Sequence, residues 1–237
     1  MSRRSAEETR QLLLDVAVEV LHEKGPAAGV LHVRLSDVVT RAGLTTGAAY
    51  RLWANQQDFH DALAVAAMQW RDRSMLARTT RAAFSVVAQG GDIDDLLRAA
   101  GAANVQTLPA DNGIMTTLAL RAAAYNQPSL LHASGERSQS MAASFHQLYV
   151  ELLRAHALRL RAPFTLEHLA AGMSALVDGF GVQTACGEHH PRLVVDDTEW
   201  TLLGVCLTAL VRHMTEPDGV ASAPTPPSAA ASQDEPA

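Results

Sequence analysis

Residues 35–59 have the sequence LSDVVTRAGLTTGAAYRLWANQQDF, which contains the two short helices that decide the fold. Apolar residues recur at positions 35, 38, 39 and 42, and these spacings place them on one face of a helix. Gly43 follows at a position suited to a positive φ, which ends the helix. Thr45 is predicted to cap a second helix, from about Thr46 to Trp53, by accepting a hydrogen bond from a backbone N–H of its first turn. Two short helices joined by a tight turn have the dimensions of a helix-turn-helix, whose second helix enters the major groove of DNA.

The second helix also has a surface suited to contact with DNA. Thr46, Gly47 and Ala48 are small, so the backbone can approach the edges of bases closely. Tyr50 offers a hydroxyl to a phosphate, and Arg51 offers a guanidinium to a phosphate or a guanine. A purely structural helix would more often carry Leu, Glu or Lys at these positions. The pattern therefore favours an element that reads DNA.

Regular helices are predicted on both sides of this segment. Ser5 and Glu8 have the spacing of a capping box, and apolar residues within 13–21 trace one helical face before Gly25. Asn55 is suited to cap a helix over 56–78. Further helices are predicted at about 92–104, at 114–125, at 129–161 with a break at 134–135 as an alternative, at 165–186, and from Asp197 or Thr198 to 214. No alternating pattern typical of a long strand is visible.

Composition limits the class of protein. The 237 residues are 48% hydrophobic and 19% charged, which suits one large or two small globular domains. Aromatic residues make up only 5%, and this favours helices over a β-sandwich. The two cysteines, Cys186 and Cys206, are too few for a disulfide-stapled scaffold. No apolar run reaches the ~18 residues of a membrane span, and no apolar signal region follows Met1, so a cytoplasmic protein is expected.

Charge is divided unevenly along the chain. The net charge of −6 disfavours a protein that binds nucleic acid over its whole surface. Residues 1–73 contain nine basic and nine acidic side chains, so the entire net negative charge lies in the remainder. A polyanion is therefore expected to meet the N-terminal part. Arg3 and Arg4 are predicted to form an arm that enters a minor groove, with an N-terminus that has no role in binding as the alternative.

The N-terminal pattern resembles the DNA-binding domain of TetR-family transcriptional regulators over residues 5–65. The residues that carry the resemblance are Thr9–Arg10, Gly25, Asp37–Val39, Ala42–Thr45, Gly47–Tyr50, Trp53 and Phe59. Four positions depart from the family's pattern. Val39 stands where the family usually has Ala, and Arg34 takes the usual capping position of Thr or Ser. Leu52 replaces a common His, and Gln56 replaces a common Lys that contacts phosphate.

The resemblance implies an all-α regulator in three parts. A three-helix helix-turn-helix domain that binds operator DNA is expected at 1–55, and a helical effector-binding and dimerisation domain at 56–216. A disordered tail is predicted at 217–237, where Pro, Ala and Ser dominate. Repression relieved by a small apolar effector is the family's usual action, although activators exist, and neither a cofactor, a membrane nor an enzymatic activity is implied. Effector binding is expected to shift the fourth helix like a lever and to change the separation of the two reading heads.

The residues and the resemblance together assign two sites. The predicted DNA contacts are Arg34, Thr45, Thr46, Gly47, Ala48, Tyr50 and Arg51. The predicted lining of the effector pocket consists of Met115, Met141, Phe145, Tyr149 and Met173. For the second set, the plain alternative is that these large apolar side chains only fill a core.

A homodimer is predicted through the two C-terminal helices, 165–186 and 197–214. Both have apolar faces, and close approach is permitted by the small residues Gly172, Gly179, Gly204 and Ala209. Paired with their symmetry mates, the two helices would form a four-helix bundle.

Two other classes of function compete with this one. The first is a helical small-molecule-binding protein or enzyme with a vestigial DNA-binding domain, and the second is a constitutive DNA-binding dimer with a filled core. Residues 186–190 (CGEHH) gather four potential metal ligands, but adjacent histidines in a loop rarely point the same way, so no metal site is predicted. Cys186 and Cys206 are expected to be free thiols. No nucleophile elbow, P-loop or dinucleotide motif occurs, so nothing in the sequence argues for catalysis.

Overall fold

The computed structural model describes residues 4–70 and 73–219. Within them, ten α-helices are joined by short connections: α1 (Ala6–Lys24), α2 (Leu35–Arg41), α3 (Thr46–Ala49), α4 (Gln56–Gln69), α5 (Arg73–Ala88), α6 (Ile93–Thr107), α7 (Asn112–Ala123), α8 (Pro128–Ala155), α9 (Leu166–Ala185) and α10 (Leu202–Met214). The same described residues contain four three-residue strands, which form two antiparallel pairs: β1 (Leu158–Leu160) with β4 (Thr215–Pro217), and β2 (Leu193–Val195) with β3 (Thr198–Trp200). The predicted all-α class is confirmed, and the strands are short additions to it.

Helices α1, α2 and α3 pack with the first turns of α4 around the N-terminal core. Its fully buried side chains include Leu13, Leu21, Leu35, Val38, Phe59 and Leu63. The predicted capping box starts α1, because the backbone N–H of Glu8 donates to the Ser5 hydroxyl and the Ser5 N–H donates to the Glu8 carboxylate. The helix ends at Gly25, which has a φ of 78°. Local sequence signals therefore set both ends of α1.

Helix α4 belongs to two cores at once. Phe59 and Leu63 lie in the N-terminal core. Ala64 and Met68, further along the same helix, lie in a second cluster. That cluster is completed by Ala124, Leu130 and Ala133, from the region where α7 leads into α8. Helix α4 therefore connects the packing of the first three helices to that of the later ones.

The helix predicted over 56–78 is wrong at its C-terminal end. α4 stops at Gln69, and Trp70 has a non-helical backbone with φ −57° and ψ 141°. The Trp70 ring lies edge-on to the His22 ring, with 4.5 Å between the centroids. It also covers Gly113, where an added Cβ would lie 2.7 Å from the indole. This packing against α1 and α7 accompanies the turn of the chain out of the helix, and α5 follows as a separate element.

The C-terminal core lies between α6, α9, α10 and the end of α8, and its most buried members include Leu97, Leu203 and Leu207. Helices α6 and α10 cross closely, since a Cβ added to Gly101 would lie 2.5 Å from Gly204 Cα. Gly204 therefore packs against Gly101 of the same chain, and its predicted place in a dimer interface is wrong. Gly172 likewise faces Leu210 of the same chain, with 2.9 Å between an added Cβ and a leucine methyl carbon.

The predicted start of the last helix at Asp197 or Thr198 is also wrong. Asp196 and Asp197 have φ values of 48° and 60°, and they form the turn between β2 and β3. Because left-handed residues do not continue into a right-handed α-helix, α10 starts later, at Leu202. Thr201 caps it by accepting a hydrogen bond from the backbone N–H of Gly204.

The long helix predicted over 129–161 ends early, at Ala155, and it is not broken at 134–135. Ala157 has a φ of 50°, and β1 follows it. Pro217 pairs with this strand, and the Asp218 N–H donates to the Ala157 carbonyl oxygen at 2.8 Å, so the predicted disordered tail begins too early. Residues 220–237 of that predicted tail lie outside the described residues, as does Arg3 of the predicted arm, whereas Arg4 is exposed.

Candidate nucleic-acid interface

Helices α2 and α3 are joined by a tight turn at Gly43, which has a φ of 66° as the sequence predicts. The second helix is shorter than predicted, because α3 ends at Ala49 rather than at Trp53. The chain continues in turns, with the N–H of Leu52 and the N–H of Trp53 both donating to the Ala49 carbonyl oxygen, at 2.9 and 3.2 Å. Residues 50–53 therefore form hydrogen-bonded turns at the end of α3 and do not lengthen the helix.

This element has a buried side that fixes it to the N-terminal core. Ala49 is fully buried and Trp53 is 4% exposed, so both side chains anchor the element to the core. The Trp53 ring packs edge-on to Phe59 with 5.3 Å between centroids, and the Arg10 guanidinium carbon lies 5.3 Å from the Trp53 ring centroid. A cation over an indole face is attracted by the ring's quadrupole. The position of α3 and residues 50–53 is therefore fixed by the ring contact with Phe59 of α4 and by the Arg10 cation of α1.

The opposite side of the same element faces solvent. Thr45, Thr46, Gly47, Tyr50 and Arg51 are exposed, Tyr50 to 60%, and Ala48 is half-buried. No heavy atom lies within 4 Å of a Cβ built on Gly47, so the backbone can be approached there. Six of the seven predicted DNA contacts thus lie on one short, continuous stretch. The seventh, Arg34, is exposed at the start of α2.

Thr45 takes the N-cap position of α3 without capping it. Its hydroxyl accepts no hydrogen bond from the helix, so the predicted cap is wrong. The Thr45 backbone carbonyl oxygen instead accepts from the Ala48 N–H at 2.9 Å. Within residues 4–70 and 73–219, the structure shows no partner for the hydroxyl, and it is free to meet a group outside the chain.

Ion pairing separates the arginines of this region into two kinds. Arg41 is held by Glu23 through two hydrogen bonds of 2.5 and 2.6 Å, with Glu19 at 3.9 Å. The Arg41 hydrogen bond lowers the pKa of the Glu23 carboxyl. Arg34 and Arg51 form no ion pair with any side chain that the structure describes. Unlike Arg41, these two guanidinium groups are therefore available to phosphates or bases.

Gln56 is a residue whose role the sequence does not reveal. Its side-chain oxygen accepts from the Leu35 N–H at 3.2 Å, and its side-chain nitrogen donates to the Val33 carbonyl oxygen at 2.9 Å. Gln56 thus connects the start of α4 to the start of α2. The spacing of 21 residues between Gln56 and Leu35 carries no local signal, so only the fold brings them together.

The predicted effector residues are distributed over three helices. Met115 lies on α7 and Met173 on α9, while Met141, Phe145 and Tyr149 lie on α8. Phe145 and Met173 pack against the C-terminal core, and the Phe145 and Tyr149 rings stack with 5.9 Å between centroids. Burial raises the pKa of Tyr149 to about 12. The structure thus brings part of the set into one cluster, and the effector site stays a prediction.

Two cavities are lined by other residues, although the smaller one shares Leu203 with the C-terminal core. A small one of about 80 Å³ is lined by Phe180, His190 and Arg192 among others. An open groove of about 570 Å³ lies beside His22, Trp70 and Asn112, where α1, α4 and α7 meet. Neither is lined by any of the five predicted effector residues.

The loop predicted to hold no metal is tied back onto its own helix. His190 lies 3.0 Å from the Gln183 side-chain oxygen and packs edge-on to the Phe180 ring. In the part of the chain that the structure describes, no three His, Cys, Asp or Glu side chains are grouped as metal ligands. Cys186 is exposed and Cys206 is half-buried, and both are free thiols. None of the helices described has the length and apolar character needed to span a bilayer.

Comparison with known proteins gives a likeness in fold. No protein-family model matches the sequence, and no curated protein matches it. The structure is similar to that of a candidate transcriptional regulator from Rhodococcus sp. RHA1, with a TM-score of 0.52 and 13% identity over 86% of this chain and 94% of that chain. A candidate TetR-family transcriptional regulator from Rhodococcus sp. aligns over 85% of this chain and 94% of its own at 16% identity, with a TM-score of 0.46. The first likeness shows a shared all-helical fold over most of both chains, which is the fold that the sequence resemblance implies.

Proposed function

We propose that the protein is a sequence-specific DNA-binding transcriptional regulator of the TetR family, and that it reads DNA with α3 and the turn after it. The observation that carries the proposal is the division of this element into two sides. Ala49 and Trp53 are buried in the N-terminal core, while the exposed side presents hydroxyl and guanidinium groups without partners in the described residues. The proposed contacts are Arg34, Thr45, Thr46, Gly47, Ala48, Tyr50 and Arg51.

The proposed contacts differ in what they recognise. Thr46 and Ala48 lie in α3 itself, where small side chains let the helix approach base edges in the major groove. Tyr50 contacts a phosphate through its hydroxyl, which positions the helix without reading sequence. Arg34 and Arg51 supply the positive charge, and Arg51 is close enough to α3 in sequence to reach either a phosphate or a guanine.

The protein acts as a homodimer in this proposal, with a DNA-binding domain at 1–55 and a dimerisation domain at 56–216. Helices α9 and α10 leave apolar or small side chains exposed, among them Val182, which is 40% exposed, and Ala209. Such faces can pair with their symmetry mates as a four-helix bundle. A two-fold dimer would present its two reading heads to successive major grooves.

A small apolar effector relieves repression by acting on α4. Because α4 contributes side chains to the N-terminal core and to the cluster with Ala124 and Leu130, movement of the later helices displaces its first turn. The effector site is proposed at Met115, Met141, Phe145, Tyr149 and Met173. No cofactor takes part in this mechanism.

Selection of binding sites from random-sequence duplex DNA, followed by fluorescence anisotropy, tests the proposal. The chain is expected to enrich one palindromic sequence and to bind it at least ~10³-fold more tightly than unrelated DNA. Arg51→Ala is expected to weaken that binding, whereas Arg154→Ala, at an exposed arginine on α8, serves as the matched control. A folded parent chain that enriches no sequence, or equal losses for both variants, would contradict the assignment.

A further inference from the structure

The start of α2 lacks the cap that a helix normally receives from its own N-cap side chain. Arg34 occupies that position with an extended backbone, φ −87° and ψ 133°, and makes no capping hydrogen bond. A guanidinium carries only donors, so it cannot accept from the N–H groups left open at a helix start. The acceptor has to come from another part of the chain.

Gln56 provides this acceptor from the first residue of α4. Its amide accepts from the Leu35 N–H and donates to the Val33 carbonyl oxygen, so it binds the two backbone groups that flank Arg34. Val33 is 0% exposed and Leu35 is 2% exposed, while Gln56 itself is exposed, so both bonds are partly buried. Losing a partner for a buried backbone group costs more than losing an exposed hydrogen bond.

His60 lies beside the same contact, one turn further along α4. The residue is 6% exposed, and its Nε2 lies 3.0 Å from the Val33 carbonyl oxygen and 2.7 Å from Gln56 Nε2. Two side chains on one face of α4 therefore converge on the residue just before Arg34. The start of α2 is held against α4 and has no local cap of its own.

We propose that Gln56 is a positioning residue for DNA binding. Its amide replaces the missing cap of α2, fixes the backbone that carries Arg34, and holds the α2–α3 pair at one angle to α4. Movement of α4 then reaches the reading element through this amide. This inference rests on the proposed function, because it assigns the route by which α4 controls the DNA contacts.

Hydrogen exchange and operator binding of the full chain test the inference together. Gln56→Ala is expected to speed exchange of the Leu35 amide and to weaken operator binding, each by about tenfold, the scale of one to two lost hydrogen bonds. Gln57→Ala is the matched control, since Gln57 is the next residue and, among the described residues, its side chain bonds to Asp61 alone, on the exposed side of α4. This control is expected to change both quantities by less than about twofold.

Gln56→Glu gives the decisive comparison, because a carboxylate keeps the oxygen that accepts from the Leu35 N–H and loses the N–H that donates to Val33. This variant is expected to leave Leu35 exchange within about threefold of the parent, whereas Gln56→Ala speeds it about tenfold. Equal Leu35 exchange in Gln56→Ala and Gln56→Glu, or exchange at Leu35 that does not respond to Gln56→Ala, would overturn the cap. Faster Leu35 exchange with unchanged operator affinity would overturn the positioning role. A parent chain that selects no DNA would overturn the proposed function instead.

Discussion

Replacement of Gly101 by alanine tests the close crossing of α6 and α10. The added Cβ would lie 2.5 Å from both the Cα and the N of Gly204, and 2.9 Å from the Thr201 hydroxyl oxygen. Backbone atoms cannot rotate away, so the two helices must separate and loosen the core beside them. Overpacking of this kind costs ~1–3 kcal/mol, and the helix preference of alanine over glycine returns up to ~1 kcal/mol. We expect a net loss of roughly 1–2 kcal/mol in the free energy of unfolding.

Gly135→Ala is the matched control, with the opposite sign. Gly135 lies inside α8 and has nothing within 4 Å of an added Cβ, so only the helix preference acts. This change is expected to raise stability by up to ~1 kcal/mol. Urea unfolding followed by circular dichroism, at one protein concentration because association shifts stability, measures both variants. A Gly101→Ala chain as stable as Gly135→Ala would refute the close crossing.

Four further predictions concern the reading element, the dimer and a buried phenol. Tyr50→Phe is expected to weaken binding to every DNA sequence alike by roughly 1 kcal/mol, with Tyr125→Phe, at an exposed tyrosine elsewhere, as an unaffected control in anisotropy titrations. Arg51→Ala is expected to cost ~1–3 kcal/mol and relax one operator position if it reads guanine, or to weaken all sequences and lower the salt slope by about one if it holds a phosphate; no change in either quantity would exclude Arg51 from the interface. Ala209→Arg is expected to yield monomers in light scattering, whereas Val194→Arg on the exposed β2–β3 hairpin is not, and a dimer in both cases would move the interface elsewhere. Burial raises the pKa of Tyr149 to about 12. The stability that the neutral phenol contributes is therefore fully present below pH ~10 and is lost as the pH rises towards 12. Tyr149→Phe should flatten this fall in the free energy of unfolding with pH, and an unchanged slope would contradict the burial of the phenol.

The elements that the sequence predicts correctly are those fixed by near neighbours in the chain. Ser5 and Glu8 cap α1 reciprocally, Asn55 accepts from the Asp58 N–H at 2.9 Å to start α4, and Gly43 takes the positive φ of the turn. Each of these signals needs only residues within one helical turn. The two-helix pattern of residues 35–59 is readable for the same reason, since its apolar spacing is local.

The errors arise where contacts distant in sequence decide. The chain ends α4 before Trp70, whose side chain packs on His22 and Gly113, and no residue near position 70 predicts this end. The sequence predicts Gly204 as a small residue in a dimer interface, but its neighbour is Gly101 of the same chain. The positive φ at Asp197 belongs to a hairpin too short to give an alternating pattern.

The candidate site shows the same division. The exposed side of α3 and the turn after it follows from local periodicity, because the apolar residues Ala49 and Trp53 are four positions apart and are buried together. The hydrogen bond between Gln56 and Leu35 spans 21 residues, so composition and spacing give no hint of it. The Thr45 hydroxyl is also left uncapping, although its residue type favours a cap.

Hydrogen exchange of the chain with and without its selected operator tests the central claim most directly. The account predicts that DNA slows exchange of backbone amides in residues 45–51 and near Arg34, while amides of the C-terminal core that include Leu203 and Leu207 change little. Protection confined to another surface, or no protection at an operator concentration that saturates anisotropy, would contradict the assignment of α3 as the element that reads DNA.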